Sequence, residues 1–225
     1  MTNLVAELHD AEVEIAGERV LLMQERALFW PSRSTLLVAD PHFGKAATFR
    51  AGGIFVPRGT TTSALARLSA ALDRTRATRL VFLGDLLHAR EGRSPETLRV
   101  VAEWRAARQP LEVVLVRGNH DRRAGDPPPA LGIACTDPPL VDGVFAFAHH
   151  PKPIPNHYAL AGHIHPAVRL RGSGRQSERL ACFWLRPAYA VLPAFGDFTG
   201  LGDVDVSADD RVFAVAGNTV IETHA

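Results

Sequence analysis

The chain has 225 residues, 46% of them hydrophobic, which is enough to bury one substantial core, and we expect a single domain over residues 1–225. The formal net charge of +1 excludes a strongly basic protein that coats DNA, so a polyanion would have to be held by local charge and bound metal. The sequence has no run of about 18 apolar residues and no basic and then apolar N-terminal segment, so we expect a cytoplasmic protein with no membrane partner.

The first half of the chain predicts an antiparallel flank followed by alternating strands and helices. Short strands are predicted over Ala11–Ile15, Val20–Leu22 and Ala27–Trp30. Apolar strands follow over Leu36–Ala39, Leu80–Leu83 and Val113–Val116. Between these three, apolar residues three and four positions apart predict one helix capped by Thr60 or Thr61 and another capped by Ser94. Two βαβ units of a parallel sheet are therefore expected.

The second half predicts a mostly β structure. Short apolar runs separated by Gly, Pro, Asp and Ser occur at 144–149, 158–162, 166–170, 180–185, 188–192 and 212–221. The segment Arg171–Arg179 is rich in Gly and Ser and predicts a mobile hairpin loop. Two packed sheets with outer helices are the simplest architecture for this α/β pattern.

Polar side chains follow five of the apolar strands at the points where the strands end. They are Asp40 and His42, then Asp85, then Asn119 with His120 and Asp121, then His149 with His150, and finally His163 and His165. Because functional groups gather at the carboxyl edge of such sheets, one converging polar site is predicted. In an extended chain, Asp40 and His42 would face the same side.

The candidate ligands are carboxylates, imidazoles and one carboxamide, and neither Cys135 nor Cys182 belongs to a CxxC motif. This donor set suits Mn²⁺, Fe²⁺ or Zn²⁺. Seven residues exceed the needs of one tetrahedral ion: Asp40, His42, Asp85, Asn119, His149, His163 and His165. Two divalent ions sharing Asp85 are therefore predicted. Such a pair, roughly 3.5 to 4 Å apart, activates a bridging hydroxide for in-line attack on phosphorus.

Further residues are candidates for catalysis or substrate binding. If the strand continued through Asn119, its neighbour His120 would point away from the metal and could act as a general acid, with Asp121 as its orienting partner. Arg50 and Arg122 can bind phosphate or be solvated surface charges. His88 either approaches the substrate or caps its own loop.

Five motifs, in their order along the chain, resemble those of the calcineurin-like metallophosphoesterase superfamily. They are Asp40-x-His42, Gly84-Asp85, Gly118-Asn119-His120-Asp121, His149 and Gly162-His163-x-His165. The resemblance implies a four-layer αββα sandwich of two mixed β-sheets flanked by helices. It also implies two metal sites: Asp40, His42, Asp85 and His165 for one ion, and Asp85, Asn119, His149 and His163 for the other.

A narrower likeness lies in Ala39–Lys45, Phe49–Ile54, Gly84–Arg90, Ala148–Pro151 and Leu192–Gly200. These segments resemble the bacterial DNA ligase-associated DNA damage response metallophosphoesterases, a manganese-dependent nuclease group. The likeness implies a single-stranded DNA endonuclease in DNA repair, functionally associated with a DNA ligase, a helicase and an exonuclease. The chain departs from the patterns at Pro41, where the subfamily more often has leucine, and at His150, where the superfamily commonly has glycine.

Other functions stay open at this point. A phosphomonoesterase, a cyclic or small nucleotide phosphodiesterase, or a non-catalytic interaction module can use the same scaffold. Phosphoprotein phosphatases typically continue Gly-Asp-x-x-Asp-Arg-Gly, whereas this chain has His88-Ala89-Arg90 there. The flanking β segments could pair in a homodimer, and the sequence does not decide this.

Overall fold

Two β-sheets form most of the protein in the computed structural model, which describes residues 9–56, 59–90, 92–171, 177–197 and 199–223. The first sheet has seven strands in sequence order: β1 Ala11–Ile15, β2 Glu18–Met23, β3 Ala27–Trp30, β4 Thr35–Val38, β5 Arg79–Phe82, β6 Glu112–Val116 and β7 Ala134–Thr136. Strands β1 to β4 pair antiparallel and β4 to β7 pair parallel. The predicted antiparallel flank and parallel sheet are both confirmed.

Four α-helices accompany this sheet: α1 Lys45–Ala51, α2 Thr60–Thr75, α3 Pro95–Ala106 and α4 Asn119–Ala124. Helices α2 and α3 are the predicted crossovers, and the Ser94 hydroxyl caps α3 by accepting the Thr97 N–H at 3.2 Å. The predicted threonine cap of α2 is wrong. Gly59 occupies the cap position, and the hydroxyl of Thr61 instead accepts the Gly44 N–H at 3.2 Å.

The second sheet confirms the mostly β second half. Its strands are β8 Leu140–Asp142, β9 Phe145–Phe147, β10 Tyr158–Ala161, β11 Pro166–Arg171, β12 Ser177–Leu185, β13 Tyr189–Val191, β14 Gly202–Asp203, β15 Arg211–Ala216 and β16 Thr219–Thr223. The order is β14-β11-β12-β13-β10-β9-β8, with β15 between β12 and β16. The predicted loop Arg171–Arg179 is too long, because Arg171 ends β11 and Ser177–Arg179 begin β12 and pair with it. The residues between these strands, 172–176, lie outside the described residues.

The main core fills the space between the sheets. Leu37 and Val81 of the first sheet pack in one cluster with Phe147 and Leu160 of the second, and all four are fully buried. Burying a large apolar side chain contributes roughly 1.5 to 3 kcal/mol, so this interface fixes the two sheets face to face. The two inner layers of the fold are therefore two mixed β-sheets, as the sequence predicts.

The outer faces of the two sheets are covered differently. Helices α2 and α3 cover the first sheet through a second apolar cluster that includes Leu68 and Val101. On the second sheet, Trp184 belongs to a smaller cluster against which Val204 and Val206 pack. In the described part of the chain, the α-helices all precede residue 125.

The fold brings the carboxyl ends of strands from both sheets together. Strands β4, β5 and β6 run parallel, as do β9 and β10, so each group ends at one edge. Just beyond β4, Ala39 forms an isolated parallel bridge with Ala194, which follows β13 of the other sheet. The loops that carry the candidate ligands therefore meet. None of the helices in the described ranges is long and apolar enough to span a membrane.

Candidate metal centre

Tight loops after the strands deliver the candidate ligands. Five of them have a left-handed backbone conformation, which residues other than glycine rarely adopt: Asp40 (φ 51°), His42 (φ 45°), Asp85 (φ 55°), His163 (φ 74°) and His165 (φ 55°). Such conformations cluster at functional sites because the surrounding structure imposes them. The expected extended alternation of Asp40 and His42 is therefore wrong, although both side chains do reach the site.

The carboxylate of Asp85 lies at the middle of the cluster. Its Oδ2 is 3.5 Å from His149 Nε2, 3.8 Å from His42 Nε2 and 3.9 Å from His120 Nε2. Its Oδ1 accepts the backbone N–H of His120 at 2.9 Å. This central position suits the bridging role that the sequence assigns to Asp85.

Asp40 lies deeper in the same cluster. Its Oδ2 is 3.8 Å from His165 Nε2 and accepts the His163 N–H at 2.7 Å. Its Oδ1 is fully buried, 3.6 Å from His149 Nδ1, and has no hydrogen-bond partner among the residues that the structure describes. A buried carboxylate oxygen without a donor is costly in a protein, and a cation at this position would satisfy it.

The remaining candidate ligands gather around His149. The Nε2 atom of this imidazole is 2.9 Å from Asn119 Oδ1 and 3.1 Å from His163 Nδ1. With Asp40, His42, Asp85 and His165, the structure thus brings all seven predicted ligands into one cluster. Their division between two ions stays a prediction.

Backbone carbonyls orient three of the imidazoles. The Nδ1 atoms of His149, His165 and His120 lie 3.0, 3.0 and 2.5 Å from the carbonyl oxygens of Leu83, Gly200 and His88, respectively. Because a carbonyl only accepts, each Nδ1 carries the proton and each Nε2 turns toward the carboxylates. Sequence reasoning missed these three acceptors, since any residue type can supply a carbonyl.

Burial sets the charge state of the cluster. It lowers the pKa of His42 to about 2 and that of His149 to about 4, so these imidazoles are neutral and keep a lone pair at neutral pH. Burial also raises the pKa of Asp40 and of Asp85 above the ordinary value. Neutral imidazoles beside two buried carboxylates are a set of ligands that fits divalent cations.

Two motif glycines permit the close packing of this cluster. A Cβ atom on Gly118 would lie 2.3 Å from Asp85 Oδ1, and one on Gly162 would lie 2.5 Å from Asp40 Oδ2. Both distances are far inside van der Waals contact, so a side chain at either position would displace a candidate ligand. These glycines contribute to the site because they lack a side chain, and not because they supply a functional group.

Asp121 has different hydrogen-bond partners from those expected. Its carboxylate accepts the backbone N–H groups of Asp85 at 2.7 Å, Leu86 at 3.0 Å and Gly118 at 2.8 Å. It does not orient His120, whose Nδ1 faces the His88 carbonyl. Residues from Asn119 onward form α4 rather than an extended segment, so the expected divergence of neighbouring strand side chains does not apply.

The predicted substrate-binding residues fall into two groups. His88 is in the cluster: its ring stacks on His120 at 5.0 Å and its Nδ1 is 3.4 Å from His42 Nδ1. Arg122 is exposed and pairs with Asp137 at 3.2 Å, and Arg50 donates to the Val56 carbonyl at 3.5 Å. Phosphate binding by these arginines stays a prediction.

The imidazole of His150 also adjoins the centre, although the sequence left its role undecided. Its ring centroid lies 4.1 Å from that of His163 and 4.9 Å from that of His149. The side chain is exposed, so it forms part of the rim. The adjacent pair His149-His150 was the only signal available in the sequence.

Comparisons with known proteins show the family and the fold of this chain. The family model described as calcineurin-like phosphoesterase matches residues 34–218. The crystal structure of a Pseudomonas putida nuclease, MPE, is 42% identical with a TM-score of 0.85 and covers 96% of this chain and 100% of that one. No curated protein sequence matches the chain.

Two more distant structures are also similar. The phosphoesterase Yfce from E. coli is 16% identical with a TM-score of 0.43, over 84% of this chain and 97% of that one. The protein AQ665 of unknown function from Aquifex aeolicus is 18% identical with a TM-score of 0.38, over 63% of this chain and 82% of that one.

Proposed function

The chain belongs to the calcineurin-like phosphoesterase family and is a metal-dependent phosphoric ester hydrolase, and from this we propose that it is a Mn²⁺-dependent phosphodiesterase that cuts single-stranded DNA. The observation that carries the proposal is the single cluster formed by the seven candidate metal ligands, which has Asp85 at its middle. Inside this cluster, the Oδ1 atom of Asp40 has no hydrogen-bond partner within the described residues. The ligands include no thiolate, which suits Mn²⁺, Fe²⁺ or Zn²⁺, and the choice of Mn²⁺ rests on the resemblance of the sequence to a manganese-dependent nuclease group.

Two divalent ions would be held by Asp40, His42, Asp85 and His165 on one side and by Asp85, Asn119, His149 and His163 on the other. When bound, such ions lower the pKa of a water molecule and offset the negative charge that develops on the phosphoryl oxygens. Carbonyl-oriented imidazoles keep their Nε2 atoms available for this task, which reduces the reorganisation needed on binding.

His120 is proposed as the general acid. The His88 carbonyl holds its Nδ1, so the proton to be transferred sits on Nε2, the atom that faces Asp85 at 3.9 Å. In its protonated form this Nε2 can donate to the departing oxygen and neutralise the alkoxide. The stacked ring of His88 limits rotation of the His120 ring.

A nucleic acid as the substrate is supported by the similarity to the Pseudomonas putida nuclease MPE, and DNA by the resemblance of the sequence to the DNA ligase-associated group. The resemblance of the sequence to the DNA ligase-associated metallophosphoesterases supports a role in DNA repair, in functional association with a DNA ligase, a helicase and an exonuclease, and we propose that the protein acts in the cytoplasm. A homodimer also remains a proposal.

The test uses the purified chain with Mn²⁺ and three substrates: circular single-stranded DNA, bis(p-nitrophenyl) phosphate and p-nitrophenyl phosphate. We expect cleavage of the DNA circle and of the diester. The variant Asp85→Ala in the same assay controls for a contaminating nuclease. Rapid clearance of the monoester with neither diester cut would identify a phosphomonoesterase and overturn the proposal.

A further inference from the structure

A groove next to the metal centre has no role in the chemistry described so far. It has a volume of about 330 Å³ and is lined by Ala148, His150, Lys152, Ile154 and four prolines, namely Pro138, Pro139, Pro153 and Pro155. We call it the proline groove. Its volume lies at the lower end of the range for small-ligand sites, roughly 300 to 1,000 Å³, which suits one nucleoside better than a longer segment.

The proline groove adjoins the metal centre. His150 lines the groove, and its ring contacts the rings of the candidate ligands His163 and His149 at centroid distances of 4.1 and 4.9 Å. His150 thus lies between the groove and the centre, and a group bonded to a phosphate in the centre would have the groove as a neighbouring surface. By contrast, a crevice lined by His42 and Lys45 has a volume of about 20 Å³, which holds roughly one water molecule.

The lining has the chemistry of a base-binding surface. Proline rings, Ile154 and the His150 imidazole offer apolar or aromatic faces, and stacking on such faces tolerates every base because each has a π-face. The segment that carries Ile154 is fixed by a tight turn, in which His157 donates its N–H to the Ile154 carbonyl at 3.2 Å. The walls are therefore formed before a ligand arrives.

The charges around the proline groove suit a nucleic acid. Lys152 is exposed at the lining and supplies a cation for a neighbouring phosphate. The carboxylate of Asp137, next to Pro138, is paired with Arg122 at 3.2 Å and Arg117 at 3.6 Å. Because these arginines offset its charge, Asp137 does not repel a polyanion.

We propose that the proline groove binds the nucleoside attached to the scissile phosphate, with the base against Ile154 and the His150 ring. The inference rests on the proposed phosphodiesterase function and adds the position of a substrate subsite. Such a subsite would favour a nucleotide ester over a simple diester at the same metal centre.

The kinetic test compares esters with one shared leaving group, p-nitrophenol. They are thymidine 5′-(p-nitrophenyl phosphate), thymidine 3′-(p-nitrophenyl phosphate) and methyl p-nitrophenyl phosphate, all with Mn²⁺. We expect at least one thymidine ester to have a kcat/KM about tenfold above that of the methyl ester, equal to ~1.4 kcal/mol. Ile154→Asp should abolish this ratio, and Ile154→Ala should reduce it. The matched control Ile221→Asp, at an exposed strand position, should retain the ratio.

The outcomes separate the two proposals. Absence of any hydrolysis of all three esters by the unaltered chain would overturn the phosphodiesterase function. Hydrolysis of all three with equal kcat/KM, or an unchanged ratio in Ile154→Asp, would overturn the subsite alone. Turnover of the methyl ester in the same preparation shows that each variant is folded.

A binding measurement without turnover complements the kinetics. Thymidine 5′-monophosphate would be titrated into protein labelled with ¹³C at the isoleucine δ1 methyl groups. We expect the Ile154 resonance to shift in a saturable way and the Ile221 resonance to stay in place. If neither resonance shifts when the metal centre is saturated with the nucleotide, the subsite is contradicted.

Discussion

At the residue scale, the feature that organises the site is the pairing of three imidazoles with backbone carbonyls. His149, His165 and His120 each give Nδ1–H to a carbonyl and turn Nε2 toward Asp40 or Asp85. The same arrangement serves two purposes, because His149 and His165 keep lone pairs for a cation while His120 can carry a transferable proton.

Substitution of His120 tests its role as an acid. In His120→Asn we expect hydrolysis of single-stranded DNA, whose leaving alkoxide is a strong base, to slow by about 10² to 10⁴. Hydrolysis of bis(p-nitrophenyl) phosphate should slow far less, since p-nitrophenolate leaves without protonation. Initial rates on both substrates give the comparison, and His9→Asn is the control. Equal losses on the two substrates would assign His120 another role.

Asp85 is the residue on which the whole cluster depends. Asp85→Ala should reduce turnover of either diester by about 10³ or more, because a shared ligand contributes to both cations and several kcal/mol are lost. Circular dichroism should show a folded chain. The exposed Asp73, paired with Arg108, provides the control Asp73→Ala, which should keep full activity. Full activity in Asp85→Ala would refute a shared ligand.

At the element scale, Asp121 holds the loop after β5 against the start of α4. Its carboxylate accepts three backbone N–H groups, from Asp85, Leu86 and Gly118, and is almost fully buried. It therefore acts as a positioning residue, since it fixes the backbone on both sides of the metal centre without facing the cluster.

Removal of this carboxylate should cost stability. Asp121→Ala leaves three buried N–H groups without an acceptor, and we expect the free energy of unfolding to fall by about 3 to 5 kcal/mol. Urea denaturation followed by circular dichroism measures the loss. Asp126→Ala, which removes an exposed partner of Arg117, should cost under about 1 kcal/mol. Similar values for the two variants would show that Asp121 is not a structural anchor.

The strands and helices show which parts of the structure can be predicted from the sequence. The apolar runs of β4, β5 and β6 and the Ser94 cap of α3 are local signals, and the structure confirms them. The left-handed conformations of Asp40 and Asp85 and the helix at Asn119 were not predicted. Contacts between segments distant in sequence, such as the hydrogen bonds of Asp121, impose these conformations. The local propensities of the residues therefore do not predict them.

At the scale of the whole molecule, the metal centre lies where the two sheets meet. The bridge between Ala39 and Ala194 joins the loop after β4 to the loop after β13, and Asp40 follows directly. Candidate ligands from both sheets thus lie in one cluster. Metal binding should therefore stabilise the contact between the sheets, and not only the loops that carry the ligands.

Metal removal tests this coupling. With Mn²⁺ at about 100 times its Kd, stability should rise by about 2.7 kcal/mol, which for a chain of this size corresponds to a Tm increase of roughly 5 to 10 °C. Differential scanning calorimetry with Mn²⁺ and with EDTA gives the difference. Asp73→Ala should respond like the unaltered chain, and Asp85→Ala should respond less. Identical Tm values with and without the metal would mean that the cluster binds no ion in this chain.

The most direct test of the account is the number and position of the bound ions. Anomalous diffraction at the manganese edge, from crystals grown with Mn²⁺, should give two peaks about 3.5 to 4 Å apart, both in contact with the Asp85 carboxylate. A single peak, or two peaks that share no carboxylate, would contradict the dinuclear centre.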